Sequence, residues 1–564
     1  MKNKKFDNVK NVHFIGIGGI GISAIAKMFL LEGNLPSQHF GETRKISGSD
    51  MSDSKIIEEL RSAGAKIKIG HSEKNLPKEL DLVIYTIAIT DENPELKEAK
   101  RRGIKCITYP QALHEISKEK YTIAISGTHG KTTTTAMIAK IMIDAGLDPT
   151  VIVGSLLQST DRKIPEVSPQ GAKRGEVSPR EFFQTNFIAG KSRYLVVEAC
   201  EYRRSFLNIE PDIAVITNID NDHLDYYKDI KDIQNAFGEF IEKVPEKGYI
   251  VCDEKDKLVT QVVKNSLHKV SVGALDEPLL GKKTKIVFSN KFKSKLKMKI
   301  PGEHNIKNAE KALAVANILK ISPSTSLRAL NEFNGTWRRF EFKGETSCGA
   351  LVYDDYGHHP TEIKATLKGA REFFSAKGGS AYGGGGKKIV AVFQPHLFSR
   401  TKLLLNDFAQ SFNDADEIIL APIYPAREAF DPTISSDILA EKIKLHHLGS
   451  QTSPPLTEAI HLFHFLFVIT LKKIIKGLAL GSLNPKLTSL IKEEIKPSEN
   501  QILKSPPILR RSTESARGGG VHVFSDFLEI EKYLKENLKK DDVLITIGAG
   551  DIYKISENLV ESKV

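Results

Sequence analysis

Residues 121–146, YTIAISGTHGKTTTTAMIAKIMIDAG, constrain the fold more than any other stretch of the chain. An apolar run leads into a glycine loop, and the loop opens a helical pattern. That context makes a Gly-Lys-Thr run a cradle for phosphate. Backbone N–H groups and the positive end of a helix attract anionic oxygens. Lys131 can neutralise β- and γ-phosphates, and the Thr132 hydroxyl can ligate Mg²⁺. The expected ATP-binding loop is therefore Gly127, Thr128, His129, Gly130, Lys131, Thr132 and Thr133. Its spacing, GxxGKT, is tighter than GxxxxGK[ST], because Gly127 lies three residues before Gly130 and not five.

Strand and helix patterns alternate on both sides of this loop, which implies an α/β fold with parallel sheets. VHFIGIGG runs into a glycine turn, followed by the short apolar strands ISGSD, IKIG, LVIYTIAI and IKCIT. YLVVEAC (194–200) and DIAVITNI (212–219) follow the phosphate loop. A third set comprises ALVYDDY, KIVAVFQ, EIILAPIY and DVLITIGAGDIYKI. A chain of 564 residues exceeds what one core usually serves. Three domains are expected, at about 1–120, 121–337 and 338–564.

Three stretches read as insertions. Residues 158–186 carry EVSP twice, residues 375–386 are glycine-rich, and residues 446–520 mix apolar and Ser/Pro-rich sequence. The apolar run AIHLFHFLFVITL (459–471) is too short to span a bilayer. The first 26 residues start basic and turn apolar, yet the glycines at turn spacing favour a first strand over a signal peptide. The net charge of +11 is spread among acidic residues, so small anionic ligands or solubility explain it as well as nucleic acid does. Four scattered cysteines without a CxxC pair argue against a zinc site or disulfide framework and fit a reducing compartment.

Mg²⁺ needs oxygen ligands. Glu198 ends the strand YLVVEAC, where a parallel sheet places ligand groups. The segment NDHLD after the next strand offers Asp222, His223 and Asp225. Each is weak alone; their value is that they follow strands in the domain of the phosphate loop. In the first domain Gly16, Gly18, Gly19 and Gly21 form a tight turn before a helix, as in dinucleotide-binding domains. The acidic residue expected about 20 residues later arrives only at Asp50, after a longer connection.

Taken in order, GIGGIGISAIA, SGSD, GTHGKTTT, EACEYRRSFL, TNIDNDHLDYY, GEHNIKNA, RRFE, DDYGHHPTE, QPHLFSR and IGAGDIY resemble the Mur ligase family along nearly the whole chain outside the insertions and a shorter one near 34–43. DDYGHHP and EACEYRRSFL resemble the member that uses L-alanine. The resemblance implies a three-domain architecture: an N-terminal Rossmann-like UDP-binding domain, a central P-loop ATPase domain and a C-terminal Rossmann-like amino-acid-binding domain. It implies ATP-dependent ligation of L-alanine to UDP-N-acetylmuramate through an acyl phosphate, with Mg²⁺ or Mn²⁺, in bacterial cytoplasmic peptidoglycan synthesis. A monomer or weak dimer without nucleic acid or stable membrane insertion is expected. The alternative is another Mur-type ligase with a different amino acid or peptide acceptor. An NAD-dependent oxidoreductase, suggested by the first glycine turn, leaves GTHGKT and GEHN unexplained.

The resemblance also implies residue roles. Thr132 and Glu198 would hold one metal, and Glu198 with His223 a second. His304 and Asn305 would meet the adenine, although Asn305 also suits a helix N-cap. Arg338, with Arg339 beside it, and Asp355 would reach ATP. Ser49 and Asp50 would lie near the uridine, and His71 and Thr86 near the sugar or diphosphate, beside the four glycines. Tyr356, His358 and Arg400 would form the amino-acid pocket, with His358 taking a proton from the incoming amine and His359 structural. A surface ion pair is the other use for Arg400. The expected catalytic set is Lys131, Glu198, His223 and His358. EACEYRRSFL offers no lysine for carbamylation, so none is expected.

Overall fold

The computed structural model describes residues 6, 8–32, 44–157, 185–224, 226–268, 284–292, 296–375, 387–426, 428–449 and 520–561. Asp225 and the run 459–471 lie outside the described residues, as do most of the three expected insertions. The described ends of those insertions belong to regular elements: the strand Thr185–Ile188 and the helices Pro360–Ser375 and Ser436–Gly449. The chain divides into two compact units, Met1–Glu341 and Phe342–Val564. Its four cysteines are free.

The first unit holds two sheets. One comprises β1 (Asn11–Ile15), β2 (Lys45–Asp50), β3 (Lys66–Ile69), β4 (Leu82–Tyr85) and β5 (Lys105–Thr108), in the order β3-β2-β1-β4-β5. All its pairings are parallel. The order reverses between β1 and β4, which opens a crevice beyond their C-terminal ends, where doubly wound sheets bind ligands. LVIYTIAI keeps strand geometry only through Tyr85. Gly16 and Thr86 therefore stand at the mouth of that crevice.

The second sheet comprises β6 (Tyr121–Ser126), β7 (Thr150–Leu157), β8 (Thr185–Ile188), β9 (Tyr194–Glu198), β10 (Ile213–Ile216), β11 (Tyr249–Cys252) and β12 (Lys285–Phe288). Their order is β12-β11-β10-β6-β9-β7-β8, and among the described residues only the β7–β8 pairing is antiparallel. The central strands are nearly continuous apolar runs because both faces are covered. The helix Lys131–Asp144 is buried along almost its whole length. Its four threonines are poor helix formers, and burial between the sheet and the helix Glu303–Ile318 overrides that preference. One apolar core joins the first sheet to the other face of the second. Each fully buried large side chain there, such as Phe29, Phe206 or Phe237, contributes about 1.5–3 kcal/mol. Polar ties reinforce the join: Asn186 accepts from Lys27 Nζ at 3.0 Å and donates to Ser23 Oγ at 2.8 Å.

The second unit is built on β13 (Glu341–Glu345), β14 (Leu351–Asp355), β15 (Ile389–Phe393), β16 (Glu417–Leu420), β17 (Val521–Val523) and β18 (Val543–Ile547). Their order is β13-β14-β18-β15-β16-β17. The pairings from β14 through β17 are parallel. DDYGHHP leaves the sheet after β14, QPHLFSR after β15 and the last glycine turn after β18, so adjacent strands deliver all three to one edge.

Candidate active site

The phosphate loop leaves β6 at Gly127, whose φ is +135°. A Cβ there would lie 1.9 Å from Thr217 Oγ1 and 2.9 Å from the Asn218 carbonyl oxygen, so glycine is required. The exit of β10 fastens the loop. Asn218 Oδ1 accepts from the His129 amide and Asn218 Nδ2 donates to the His129 carbonyl, both at 2.9 Å. Thr217 Oγ1 donates to the same carbonyl at 2.6 Å. Thr128 Oγ1 accepts from the Asp220 amide at 2.9 Å, and the Asp220 carboxylate lies 3.3 Å from His129 Nε2. Gly130, with φ +80°, begins the helix without a side-chain cap. The first amides of that helix thus point at the loop's concave side, as an anion site requires. A Cβ on Gly130 would approach Asn308 Oδ1 to 2.7 Å.

Lys131 folds back over the loop. Its Nζ donates to the Gly127 and Thr128 carbonyls, at 2.5 and 2.9 Å, and pairs with Glu201 Oε2 at 2.9 Å. Burial alone would lower the lysine's pKa; the charges of Glu201 and Glu198 outweigh it and hold the ammonium protonated. Glu201 is 2% exposed. Burial pushes its carboxyl up, yet Lys131 and His223 bring it below the usual carboxylate value. His223 Nε2 lies 3.4 Å from Glu201 Oε1, and its ring packs on Tyr202 at 4.8 Å. The His223 backbone has φ +55°, supported by its N–H donating to Asp222 Oδ1 at 2.7 Å. His223 thus meets Glu201, a residue absent from the expected set.

Glu198 stands at the end of β9. Its Oε2 accepts from Thr132 Oγ1 at 2.9 Å and from the Gly154 amide at 2.8 Å. A Cβ at 154 would come within 2.7 Å of that carboxylate, so a larger residue there would push the Glu198 side chain aside. Two ligand oxygens on adjacent corners of an octahedron with 2.0–2.1 Å bonds stand about 2.9 Å apart. The Thr132–Glu198 pair has that spacing, so these residues fit a small divalent cation.

The helix Glu303–Ile318 takes Gly302 as its N-cap, with φ +96°. This corrects the N-cap alternative for Asn305, which sits one turn in. Asn305 is buried and its Nδ2 donates to the Pro301 carbonyl at 2.6 Å, while His304 is exposed on the same turn. Asn308, one turn further on, is the member of GEHNIKNA that touches the phosphate loop; its spacing of three from Asn305 could have flagged it. Arg338 is buried, with φ +55°, its amide donating to Glu341 Oε2 at 2.9 Å and its guanidinium over Trp337.

In the first sheet, Gly16 (φ +78°) faces Thr86, whose Cγ2 would lie 2.5 Å from a Cβ. Asp50 Oδ2 accepts from the Gly18 amide at 2.8 Å. Gly19 follows in the same turn, and Gly21 packs against Tyr109. Ser49 Oγ lies 3.0 Å from His71 Nδ1. The expected residues of this domain therefore do converge around one turn. The buried acid beneath them, Glu95, gave no signal in the sequence.

In the second unit, Asp355 ends β14 and its Oδ1 accepts from the Gly357 amide at 2.8 Å. His358 Nδ1 lies 3.1 Å from the Tyr356 carbonyl and 3.5 Å from Glu362 Oε2. His396 joins them: its ring lies 5.8 Å from that of His358, stacks on Tyr424, and its Nδ1 is 3.2 Å from Arg400 Nη1. Arg400 thus faces the His358 cluster. His359 is buried, and its Nδ1 accepts from the Thr361 amide at 3.3 Å, which suits a structural residue.

Comparison with known proteins matches residues 11–121 to the Mur ligase family catalytic domain, 125–316 to the Mur ligase middle domain and 338–464 to the Mur ligase glutamate ligase domain. The chain belongs to the Mur ligase family. Among its relatives, the UDP-N-acetylmuramate–L-alanine ligase of Clostridium acetobutylicum is 36% identical over 98% of both chains, and that of Clostridium kluyveri 37% over 98% of both. Among solved structures, UDP-N-acetylmuramate-alanine ligase MurC from Thermotoga maritima superposes with a TM-score of 0.64 at 23% identity, covering 98% of each chain. A murein peptide ligase from Psychrobacter arcticus gives 0.56 at 21% identity, again over 98% of each. The expected α/β Mur ligase fold is thereby established.

Proposed function

We propose that this chain joins L-alanine to UDP-N-acetylmuramate, converting ATP to ADP and phosphate. The observation that carries the reading is the loop 127–132 at the start of a helix without a side-chain cap, where Lys131 pairs with Glu201 and the next residue, Thr132, donates to Glu198. The acceptor and the sugar nucleotide are taken from the names of the relatives aligned over 98% of the chain.

A carboxylate does not acylate an amine without activation. In the first step a carboxylate oxygen of the sugar nucleotide attacks the γ-phosphorus, ADP leaves, and an acyl phosphate forms. Charge moves between oxygens, so positioning and electrostatic stabilisation do most of the work. Lys131 exchanges its carbonyl partners for phosphate oxygens, and the helix amides receive the same phosphates. Thr132 and Glu198 would hold Mg²⁺ or Mn²⁺, which supplies positive charge to the transferring phosphoryl group. His223, tied to Glu201, would with Glu198 hold a second such ion. Asn305, with His304, addresses the adenine, and Arg338 and Asp355 address ATP. In the second step the amine attacks the acyl carbon and phosphate departs. With a proton on Nδ1 facing the Tyr356 carbonyl, His358 keeps its Nε2 lone pair to accept the ammonium proton. Tyr356 borders the amine and Arg400 pairs with the alanine carboxylate. The glycines 16, 18, 19 and 21, with Ser49, Asp50, His71 and Thr86, receive the UDP-sugar.

On this reading residues 1–120 bind the UDP-sugar, 121–337 bind ATP and 338–564 bind the amino acid, in a bacterial cytoplasmic enzyme. No helix among the described residues is long and apolar enough to cross a membrane. The test is phosphate release with UDP-N-acetylmuramate, ATP and a panel of amino acids and peptides. L-Alanine should give the highest rate. Release with another acceptor and none with L-alanine would transfer the chain to a sister activity.

A further inference from the structure

A carboxylate with no measurable exposure lies beneath the UDP-sugar crevice. Glu95 is fully buried and occupies the first turn of the helix Pro94–Arg101. Its Oε2 accepts from Ser49 Oγ at 2.6 Å and faces His13 Nε2 at 3.0 Å. Its Oε1 accepts from Asn75 Nδ2 at 2.7 Å and from the Ser72 amide at 3.1 Å. Burial pushes the carboxyl up, but these donors outweigh it and keep it ionised. His13 is buried as well, and its Nδ1 lies 2.9 Å from Ser47 Oγ. An isolated ion here would be prohibitively costly. Two converging strands, a helix start and the 71–75 turn together satisfy it.

The direction of the hydrogen bonds carries the inference. Ser49 has one hydroxyl proton, and at 2.6 Å from a carboxylate that accepts only, the proton goes to Glu95. The Ser49 oxygen must then accept from its other neighbour, His71 Nδ1, at 3.0 Å. That fixes the proton of His71 on Nδ1 and leaves Nε2 as the acceptor nitrogen of the neutral ring. Glu95 Oε1, 3.6 Å from the same Nδ1, favours that arrangement. Glu95 also fixes the 71–75 turn through Ser72 and Asn75, and Asn75 in turn donates to the Gly70 carbonyl at 2.9 Å. One buried charge thus sets both the ring orientation and the proton position of His71.

We propose that Glu95 is a positioning residue for the UDP-sugar, acting through Ser49 and His71 without touching the ligand. The proposal rests on the reading that Ser49 and His71 line the UDP-sugar site. Glu95→Gln keeps the shape but lets an amide N–H compete for the Ser49 oxygen, which releases the His71 tautomer. In the full-length protein it should raise KM for UDP-N-acetylmuramate roughly tenfold, the loss typical of a disturbed orienting partner. KM for ATP and L-alanine should stay within about twofold, a split that general loss of structure does not produce. A double-mutant cycle supplies the second readout: in a His71→Asn background, Glu95→Gln should add less than about twofold. Full additivity, or equal increases in all three KM values, would overturn the proposal. Should Glu95→Gln fail to fold, Ser49→Ala breaks the same relay while leaving the His13–Glu95 pair, and an unchanged sugar-nucleotide KM would overturn it equally. Calorimetric titration of the unmodified protein with UDP-N-acetylmuramate separates the two levels: no binding there defeats the site reading itself, whereas binding unaffected by Glu95→Gln defeats only the positioning role.

Discussion

Replacing Glu201 with glutamine removes one charge and almost no volume from beneath the phosphate loop. At 2.9 Å and an effective dielectric near 20, the Lys131–Glu201 attraction has a ceiling of about 6 kcal/mol. The glutamate's own desolvation offsets part of that. Breaking a buried pair by removing one partner usually costs about 3–5 kcal/mol. Lys131 keeps the Gly127 and Thr128 carbonyls, so a loss on the order of 3 kcal/mol is expected for Glu201→Gln without nucleotide. A bound ATP analogue changes the reference state, because its phosphates give the stranded ammonium a new counter-charge. Ligand stabilisation should then be greater for the variant than for the parent. The chain's single tryptophan, Trp337, provides the probe. Its amide donates to the Leu156 carbonyl and its own carbonyl accepts from Ser155 Oγ, so it reports on the end of β7. Urea unfolding followed by its fluorescence, at neutral pH with and without a non-hydrolysable ATP analogue and Mg²⁺, measures both terms. An equal loss under the two conditions, or a loss below about 0.5 kcal/mol without nucleotide, would refute the reasoning.

Three further outcomes are expected. Lys131→Ala should lower L-alanine-dependent phosphate release by about 10²–10³-fold, the scale for one lost charge-stabilising contact; release near the parental rate would remove the lysine from the ATP site. Gly127→Ala should abolish ATP binding in equilibrium titration while leaving UDP-sugar binding intact, because the new Cβ meets Thr217 and adopts a φ that L-residues rarely take. Glu95 gives a pH signature: burial opposes its ionisation, but bonds from His13, Ser49 and Asn75 depress its pKa from 4.5 to about 2. A depressed carboxyl contributes stability above its unfolded value that fades as pH falls through the folded value. About 3 kcal/mol should therefore be lost between pH 4.5 and 2 relative to Glu95→Gln, and parallel acid-unfolding curves for the two proteins would contradict it.

What could be read from the sequence was what local backbone chemistry dictates. Gly127 and Gly130 were legible because the turn between β6 and the following helix admits nothing else, and Thr132 because it must follow the lysine. Glu198 was legible from its place at a strand end. Glu201 was not, although it lies three residues away: its partner Lys131 is 70 residues distant, and nothing local distinguishes an acid that will be buried from one left in solvent. The same holds for Glu95, whose pairing with His13 spans 82 residues. Asn305 shows a different limit. Its propensity for an N-cap was real, but Gly302 supplied the turn three residues earlier and moved the cap. The tail of LVIYTIAI read as strand because apolar residues cannot signal where pairing stops; β4 ends at Tyr85, and Thr86 is thereby freed to meet Gly16.

The acid that ends β9 and the one three residues beyond it divide the loop between them. Glu198 binds the hydroxyl of Thr132, and Glu201 the ammonium of its neighbour Lys131. Lys131, Glu198 and Glu201 together sum to one net negative charge, with the Asp220 carboxylate beside His129 as well, although the loop is proposed to receive an anion. Helix amides offset part of this, by roughly half a charge at best. One divalent cation at Thr132 and Glu198 would offset that negative charge. The arrangement therefore ties nucleotide affinity to the cation more tightly than a loop with an unpaired lysine would, and it assigns Glu201 the energetic share of that coupling. On the proposed reading, a lysine already paired with Glu201 gains less from free ATP than from ATP that arrives with the cation, whose charge offsets Glu198.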